Sequence, residues 1–188
     1  MMKDNNSAFE IEKGWLVGVH RKKSPYFTAR SLADKVSLLV IHNISLPAGC
    51  FATSYIDDLF LGKLDYRADL SFNDLVGVKV SAHCLIRRTG EIIQYVSFNN
   101  KAWHAGVSSF KGRKNCNDFS IGIELEGTDS LPYTNLQYQQ LLTLTHCLQK
   151  TYPAIIKDHI VGHCHIAPSR KTDPGESFDW QYFHQCLQ

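Results

Sequence analysis

This chain has almost no excess of charge of either sign. Twenty Lys and Arg are set against eighteen Asp and Glu, for a net charge of +2. The basic residues are scattered, which argues against nucleic acid as a partner. No apolar run approaches the ~20 residues that a membrane-spanning helix needs, so no membrane role is expected. Met1 to Glu10 contain no apolar h-region, which predicts the absence of a secretory signal and a cytoplasmic location. The six cysteines (Cys50, Cys84, Cys116, Cys147, Cys164 and Cys186) lie far apart without a CxxC pair. Reduced, mostly buried thiols are therefore expected rather than disulfides. There is no internal repeat, low-complexity tract or Ser/Gly linker to divide the chain.

What remains is an ordinary globular composition, 44% apolar and 20% charged, unsuited to disorder. A chain of 188 residues buries roughly 70% of its unfolded surface, so one core suffices. Residues 1–13 read as a polar, frayed N-terminal segment and residues 14–188 as a single domain. The near-continuous apolar run from Val36 to Ile44 reads as a buried strand, with His42 near its C-terminal end. Ser54 is positioned to cap a short helix over 55–60, closed by Gly62. Val78 to Ile86 and Glu91 to Phe98 flank Arg88-Thr89-Gly90 as a hairpin. Phe119 to Leu125 is a further strand. Thr134-x-x-Gln137 is a capping box opening a long helix that stops near Pro153. Ile160 to His163 is a short strand, and Ser177 is a cap for a last helix. Strands alternate with helices except at the hairpin, which predicts an α/β domain with a central mixed β-sheet flanked by α-helices.

The segment from Gly162 to Gly175 is the richest in chemistry. It places His163, His165, Lys171 and Asp173 in a loop bounded by Pro168 and Pro174. Imidazole and carboxylate are ligand types of a catalytic zinc, and an ammonium beside them can stabilise an anion. His42 from the first long strand would complete a three-ligand site with an open position. Residue logic leaves alternatives. His165 competes with His163, because on an extended chain both point to the same side. His83 and His104 are further candidates, and each histidine has an ordinary reading as a hydrogen-bonded core residue.

Five blocks then identify the chain by resemblance: Val40-Ile41-His42-Asn43-Ile44-Ser45-Leu46-Pro47, Val80-Ser81-Ala82-His83-Cys84-Leu85-Ile86, Ala102-Trp103-His104-Ala105-Gly106-Val107-Ser108, Cys116 to Thr128, and the Gly162–Gly175 segment. From about Gly14 to Trp180 the chain resembles the AmpD family of zinc amidases. These lie within the wider N-acetylmuramoyl-L-alanine amidase superfamily, which includes phage amidases and peptidoglycan-recognition proteins. The resemblance implies one zinc ion per chain, held by His42, His163 and Asp173. The position of His165 is often asparagine in similar proteins, so His165 is not expected to be a ligand. Glu124 is implied as the general base, with Glu126, on the same strand face, as its rival. Lys171 is the expected oxyanion stabiliser, with Arg170 beside it as rival.

The implied activity is hydrolysis of the amide between the lactyl group of a (1,6-anhydro-)N-acetylmuramic acid and L-alanine. The partner is then a small muropeptide, and the setting is cytoplasmic peptidoglycan recycling. A broader amidase acting on intact peptidoglycan is the alternative within the enzyme class, and a non-catalytic muropeptide-binding protein is the alternative outside it. Asn43, Lys79, Trp103 and His104 are candidate substrate contacts. Two departures stand out. Ser71 falls where some relatives carry a tyrosine near the metal, with Tyr66 close by in sequence. Asn115 falls where some carry a basic residue.

Overall fold

A computed structural model describes residues 9–187. Its central sheet has six strands: β1 (His20–Arg21), β2 (Leu38–Ile44), β3 (Cys84–Ile86), β4 (Ile92–Gln94), β5 (Ser120–Glu126) and β6 (Ile160–Gly162). They lie in the order β6-β2-β5-β3-β4-β1. All neighbours are parallel except β3 and β4, which form the expected hairpin. The sheet is therefore mixed, as its sequence pattern predicts. The helices are α1 (Tyr55–Phe60), α2 (Asn135–Thr151), α3 (His163–Ile166) and α4 (Trp180–Cys186).

β2 and β5 are central and covered on both faces, which explains their near-continuous apolar sequence. Alternation still divides them. Leu39, Ile41, Ile121, Ile123 and Leu125 pack with Leu141, Leu144 and Leu148 of α2. Leu38 and Val40 face the other way, towards Ala105, Cys116, Phe119 and Ile166. In α2, Leu141, Leu144 and Leu148 fall on one face and are fully buried. Each contributes about 1.5–3 kcal/mol by burial, and Leu144→Ala would cost ~2–5 kcal/mol. The helix begins with the expected capping box: Gln137 N donates to Thr134 Oγ1 and Thr134 N to Gln137 Oε1, both at 3.1 Å. Gln137 Nε2 also donates to the carbonyls of Ile86 and Glu126, tying the helix start to the ends of β3 and β5.

Several local expectations differ from the fold. Ladder pairing in the hairpin covers only β3 and β4. Residues 78–82 run irregularly, with Ser81 N donating to Trp103 O and Ser81 Oγ to Tyr26 O. The cap of α4 is Asp179, whose Oδ1 accepts from Tyr182 N at 2.8 Å. Ser177 instead donates to Thr128 O. Residues 1–8 of the segment read as frayed lie outside the described residues. Phe9 and Ile11 pack against the main core, and Ile11–Glu12 pairs with Trp15–Leu16. Among the cysteines, Cys84, Cys116 and Cys147 are buried, Cys164 is half-buried, and Cys50 and Cys186 are exposed. No helix among the described residues is long and apolar enough to cross a membrane.

Candidate metal centre

Polar groups in open α/β sheets gather at the carboxyl ends of parallel strands, where the buried ladder gives way to loops. Three adjacent parallel strands deliver side chains there. Glu124 of β5 lies directly opposite His42 of β2 in register. β6 runs beside β2, and His163 follows its last residue as the first residue of α3. A Cβ at Gly162 would come within 2.6 Å of Pro174 Cδ, so glycine lets the 171–175 loop close over the end of β6. Cys164 N donates to Asp173 O at 3.0 Å and fixes that approach.

His42, His163 and Asp173 converge as a result. His42 Nδ1 lies 3.1 Å from His163 Nδ1 and 2.9 Å from Asp173 Oδ2, and His163 Nδ1 lies 3.1 Å from the same oxygen. His163 Nε2 is 3.0 Å from Ala105 O, an atom that only accepts. A neutral His163 therefore carries its proton on Nε2 and turns the Nδ1 lone pair inward. Burial is the largest influence on His42 and brings its pKa down to about 4, against the opposing pull of Asp173. Burial alone would raise Asp173, but its hydrogen bonds with His163 and His42 hold it well below the usual carboxylate range. With the two imidazoles in their neutral forms, two ring nitrogens and a carboxylate point acceptor atoms at one small space, an arrangement that fits a bound cation. Donors at ~2.0–2.2 Å around a tetrahedral ion lie about 3.3–3.5 Å apart, close to the spacing here. Among the described residues this is the His/Cys/Asp/Glu group suited to holding a metal.

Glu124 and Glu126 lie two residues apart on the same strand face, yet their environments are opposite. Glu126 is fully engaged: Oε1 accepts from Arg87 Nη1 and Ala52 N, and Oε2 from Arg88 N. Glu124 is buried, and its Oε2 has no hydrogen-bond partner. Burial first, and the nearby Asp173 second, push the Glu124 carboxyl well above its ordinary pKa, with Lys171 pulling the other way. Lys171 is exposed at the rim of the cavity. Arg170 is occupied, because its Nη2 donates to the carbonyls of Ala105 and Val107.

His165 turns away from the cluster. The Gly162–Gly175 segment opens as a helical turn rather than an extended chain, so residues 163 and 165 diverge. His165 Nδ1 accepts from Gly162 N at 2.9 Å, and its ring packs on Trp180. His83 is also committed to the scaffold, with Nδ1 accepting from Gly122 N and Nε2 donating to Asn100 O. His104 is buried behind His42, with Nδ1 2.9 Å from His42 Nε2 and Nε2 3.0 Å from Ser120 Oγ. Burial, followed by the neighbouring histidines, holds it well below its ordinary pKa, so it is neutral.

A cavity of about 270 Å³ opens over the cluster. His42, His104, Glu124, His163, Lys171 and Asp173 line it, facing an apolar wall that includes Leu46, Phe60, Leu75 and Val78. Trp103 is at its edge, stacked on Tyr26 at 6.0 Å. A shallower cavity of about 560 Å³ shares Asn43, Lys171 and Asp173 with the first, so the two form one groove across the cluster. Asn43 Nδ2 donates to Asp129 Oδ1 at 2.8 Å. Lys79 is exposed and lines neither cavity. Neither Tyr66 nor Ser71 lines them: Tyr66 packs beside the α1 core, and Ser71 donates to Asp69. Asn115 is exposed and also outside them, in a left-handed conformation with φ 59°.

Asp129 is a site residue that sequence reasoning missed. It accepts from Asn43 at the end of β2 and from Thr172 beside Asp173, so it joins two of the segments that carry cluster residues. Its only signal in sequence is an acidic residue just past the end of a buried strand.

A mixed α/β sheet with a His-His-Asp group at its strand ends is the class that fold and site define. The profile of the family described as "N-acetylmuramoyl-L-alanine amidase" matches residues 32–176. The chain belongs to this family of amidases. Within it, the chain is 58% identical over 176 residues to the 1,6-anhydro-N-acetylmuramyl-L-alanine amidase AmpD of Salmonella typhimurium (strain SL1344), covering 94% of each protein. The crystal structure of a selenomethionine AmpD derivative superposes with a TM-score of 0.92 at 55% identity, covering 95% of this chain and 99% of that one. The Escherichia coli amidase AmiD, solved with "the substrate anhydro-N-acetylmuramic acid-L-Ala-D-gamma-Glu-L-Lys", is more distant. Its TM-score is 0.60 at 28% identity, covering 95% of this chain and 65% of that one.

Proposed function

We propose that this chain hydrolyses the amide between the lactyl group of 1,6-anhydro-N-acetylmuramic acid and L-alanine in muropeptides, with one zinc ion held by His42, His163 and Asp173. The observation that carries the reading is the convergence of three acceptor atoms beside a buried carboxylate oxygen with no partner. Similarity to AmpD proteins over nearly the whole chain supports the anhydro-muropeptide as substrate. The reading places the enzyme in cytoplasmic recycling of wall fragments.

Zinc in this site supplies Lewis-acid polarisation of the scissile carbonyl and acidification of water. The protein does the rest. Glu124 Oε2, free of internal partners, takes the proton of the attacking water and passes it to the departing amine nitrogen. Its raised pKa suits it to hold that proton between the two transfers. The Lys171 ammonium at the rim stabilises the negative charge that develops on the carbonyl oxygen. The apolar wall opposite excludes bulk water and strengthens both effects. Asn43 and Trp103 border the groove where the peptide and the sugar would lie.

The test is metal analysis together with mass-spectrometric product identification. The protein should release free peptide from soluble anhydro-muropeptides, lose activity on chelation and recover it with zinc. Rapid release from intact sacculi with poor turnover of soluble fragments would reverse the substrate assignment. Chelator-resistant cleavage by verified metal-free protein would overturn the zinc reading.

A further inference from the structure

We propose that His104 is a positioning residue that fixes the tautomer of His42, through a chain running from His42 to His104 to Ser120. The inference rests on the zinc reading above and extends it to residues that do not touch the metal. Three observations carry it. His104 Nδ1 lies 2.9 Å from His42 Nε2, and His104 Nε2 lies 3.0 Å from Ser120 Oγ. The ring stands edge-on to His42, with centroids 5.0 Å apart. Gly122 lies between Ser120 and Glu124, and a Cβ there would run into the His104 ring. Residues 120, 122 and 124 of β5 therefore point to one side with separate roles. Ser120 anchors the histidine, Gly122 makes room for it, and Glu124 faces the reaction.

A neutral imidazole has one N–H and one lone pair. For His42 Nδ1 to bind a cation, its proton must be on Nε2, and a buried N–H there needs an acceptor. His104 Nδ1 provides one when the His104 proton is on Nε2 and is donated to Ser120 Oγ. The opposite arrangement would place an N–H on His42 Nδ1, aimed at the cluster, where it blocks ligation. The hydroxyl of Ser120 can accept in the first arrangement and donate in the second; a cation at His42 Nδ1 selects the first, and His104 Nδ1 is the acceptor that lets His42 adopt it. His163 solves the same problem more simply, by donating to the carbonyl of Ala105.

The experiment has two parts. Long-range proton–nitrogen NMR of the zinc-loaded protein should report His104 as the Nε2–H tautomer; an Nδ1–H tautomer would overturn the proposal without any substitution. Zinc affinity is then measured on the apo-protein by competition with a chromogenic chelator. His104→Leu should weaken binding about 10–100-fold. His104→Asn, whose side-chain oxygen can accept in place of Nδ1, should recover most of that loss. Ser120→Ala should weaken binding by a smaller factor. Wild-type affinity in a folded His104→Leu protein, or equal losses for Leu and Asn with equal apo-protein melting temperatures, would overturn the proposal. If wild type itself takes up no zinc, the underlying metal reading fails instead.

Discussion

The two faces of β2 and β5 share a backbone but obey different rules. On one face Leu39, Ile41, Ile121, Ile123 and Leu125 pack into the apolar core with α2. On the other, Leu38 and Val40 give way to His42 along β2, and Ser120, Gly122, Glu124 and Glu126 of β5, all buried, are polar or bare. Burial of a polar atom costs free energy unless it is paired, and Glu126 meets that demand with three donors. Glu124, two residues away, does not. The comparison teaches that burial alone does not mark a functional residue. What sets Glu124 apart is an unmet hydrogen-bonding demand beside the His42, His163 and Asp173 cluster, and that is the ground for proposing it as the base.

The largest effect should come from the cluster itself. Asp173→Ala should drop zinc content and amide hydrolysis together to background, read by metal analysis and product release; zinc retained at full stoichiometry would refute its role as a ligand. Next is the free carboxylate. Glu124→Ala should keep zinc and lose roughly 10²–10⁴-fold in kcat, the range for a general acid–base. A near-normal kcat would move the base elsewhere.

Glu126→Ala should show the reverse pattern. Arg87 keeps Asp57 as a partner, but Ala52 N and Arg88 N lose their acceptor, which should cost about 1–3 kcal/mol per buried donor in chemical unfolding, with zinc retained in the folded fraction. If Glu126→Ala instead removed turnover without loss of stability, the contrast between the two carboxylates would collapse.

The smallest expected effect concerns pH. Burial, ahead of the charge on Arg30, brings the His83 pKa down to about 3. The folded state keeps His83 neutral while the unfolded chain takes up a proton below ~6.5, so stability is lost as pH falls through that window. Its share is up to about 1.4 kcal/mol per pH unit. His83→Gln should flatten the pH dependence of unfolding by one proton between about pH 6 and 4; an unchanged slope would remove His83 as its source.

Much of this molecule is written locally. The β2 and β5 strands, the α2 capping box and the hairpin turn at Gly90 follow from apolar runs and from residues with strong local preferences. At the last helix the local sequence offers both Ser177 and Asp179 as caps; Ser177 is drawn to Thr128 O, and Asp179 takes the cap. Residue logic alone leaves His165 a rival of His163, because the local sequence does not say whether residues 163–166 are extended or helical; only the resemblance sets it aside.

The resemblance of five blocks pointed to the ligand set, and spacing along the chain could not. The clustered side chains come from positions 42, 163 and 173, and they meet only because β2 and β6 are parallel neighbours and the 171–175 loop folds back over Gly162. By itself the sequence determined the elements, the core and the kinds of chemistry available, since these depend on each residue and its near neighbours. Only the tertiary structure decided which polar groups are satisfied. It pairs Glu126 with Arg87, ties Arg170 to the 105–107 backbone, backs His42 with His104, and leaves Glu124 without a partner, because hydrogen-bond partners are assigned by contacts between segments far apart in the chain.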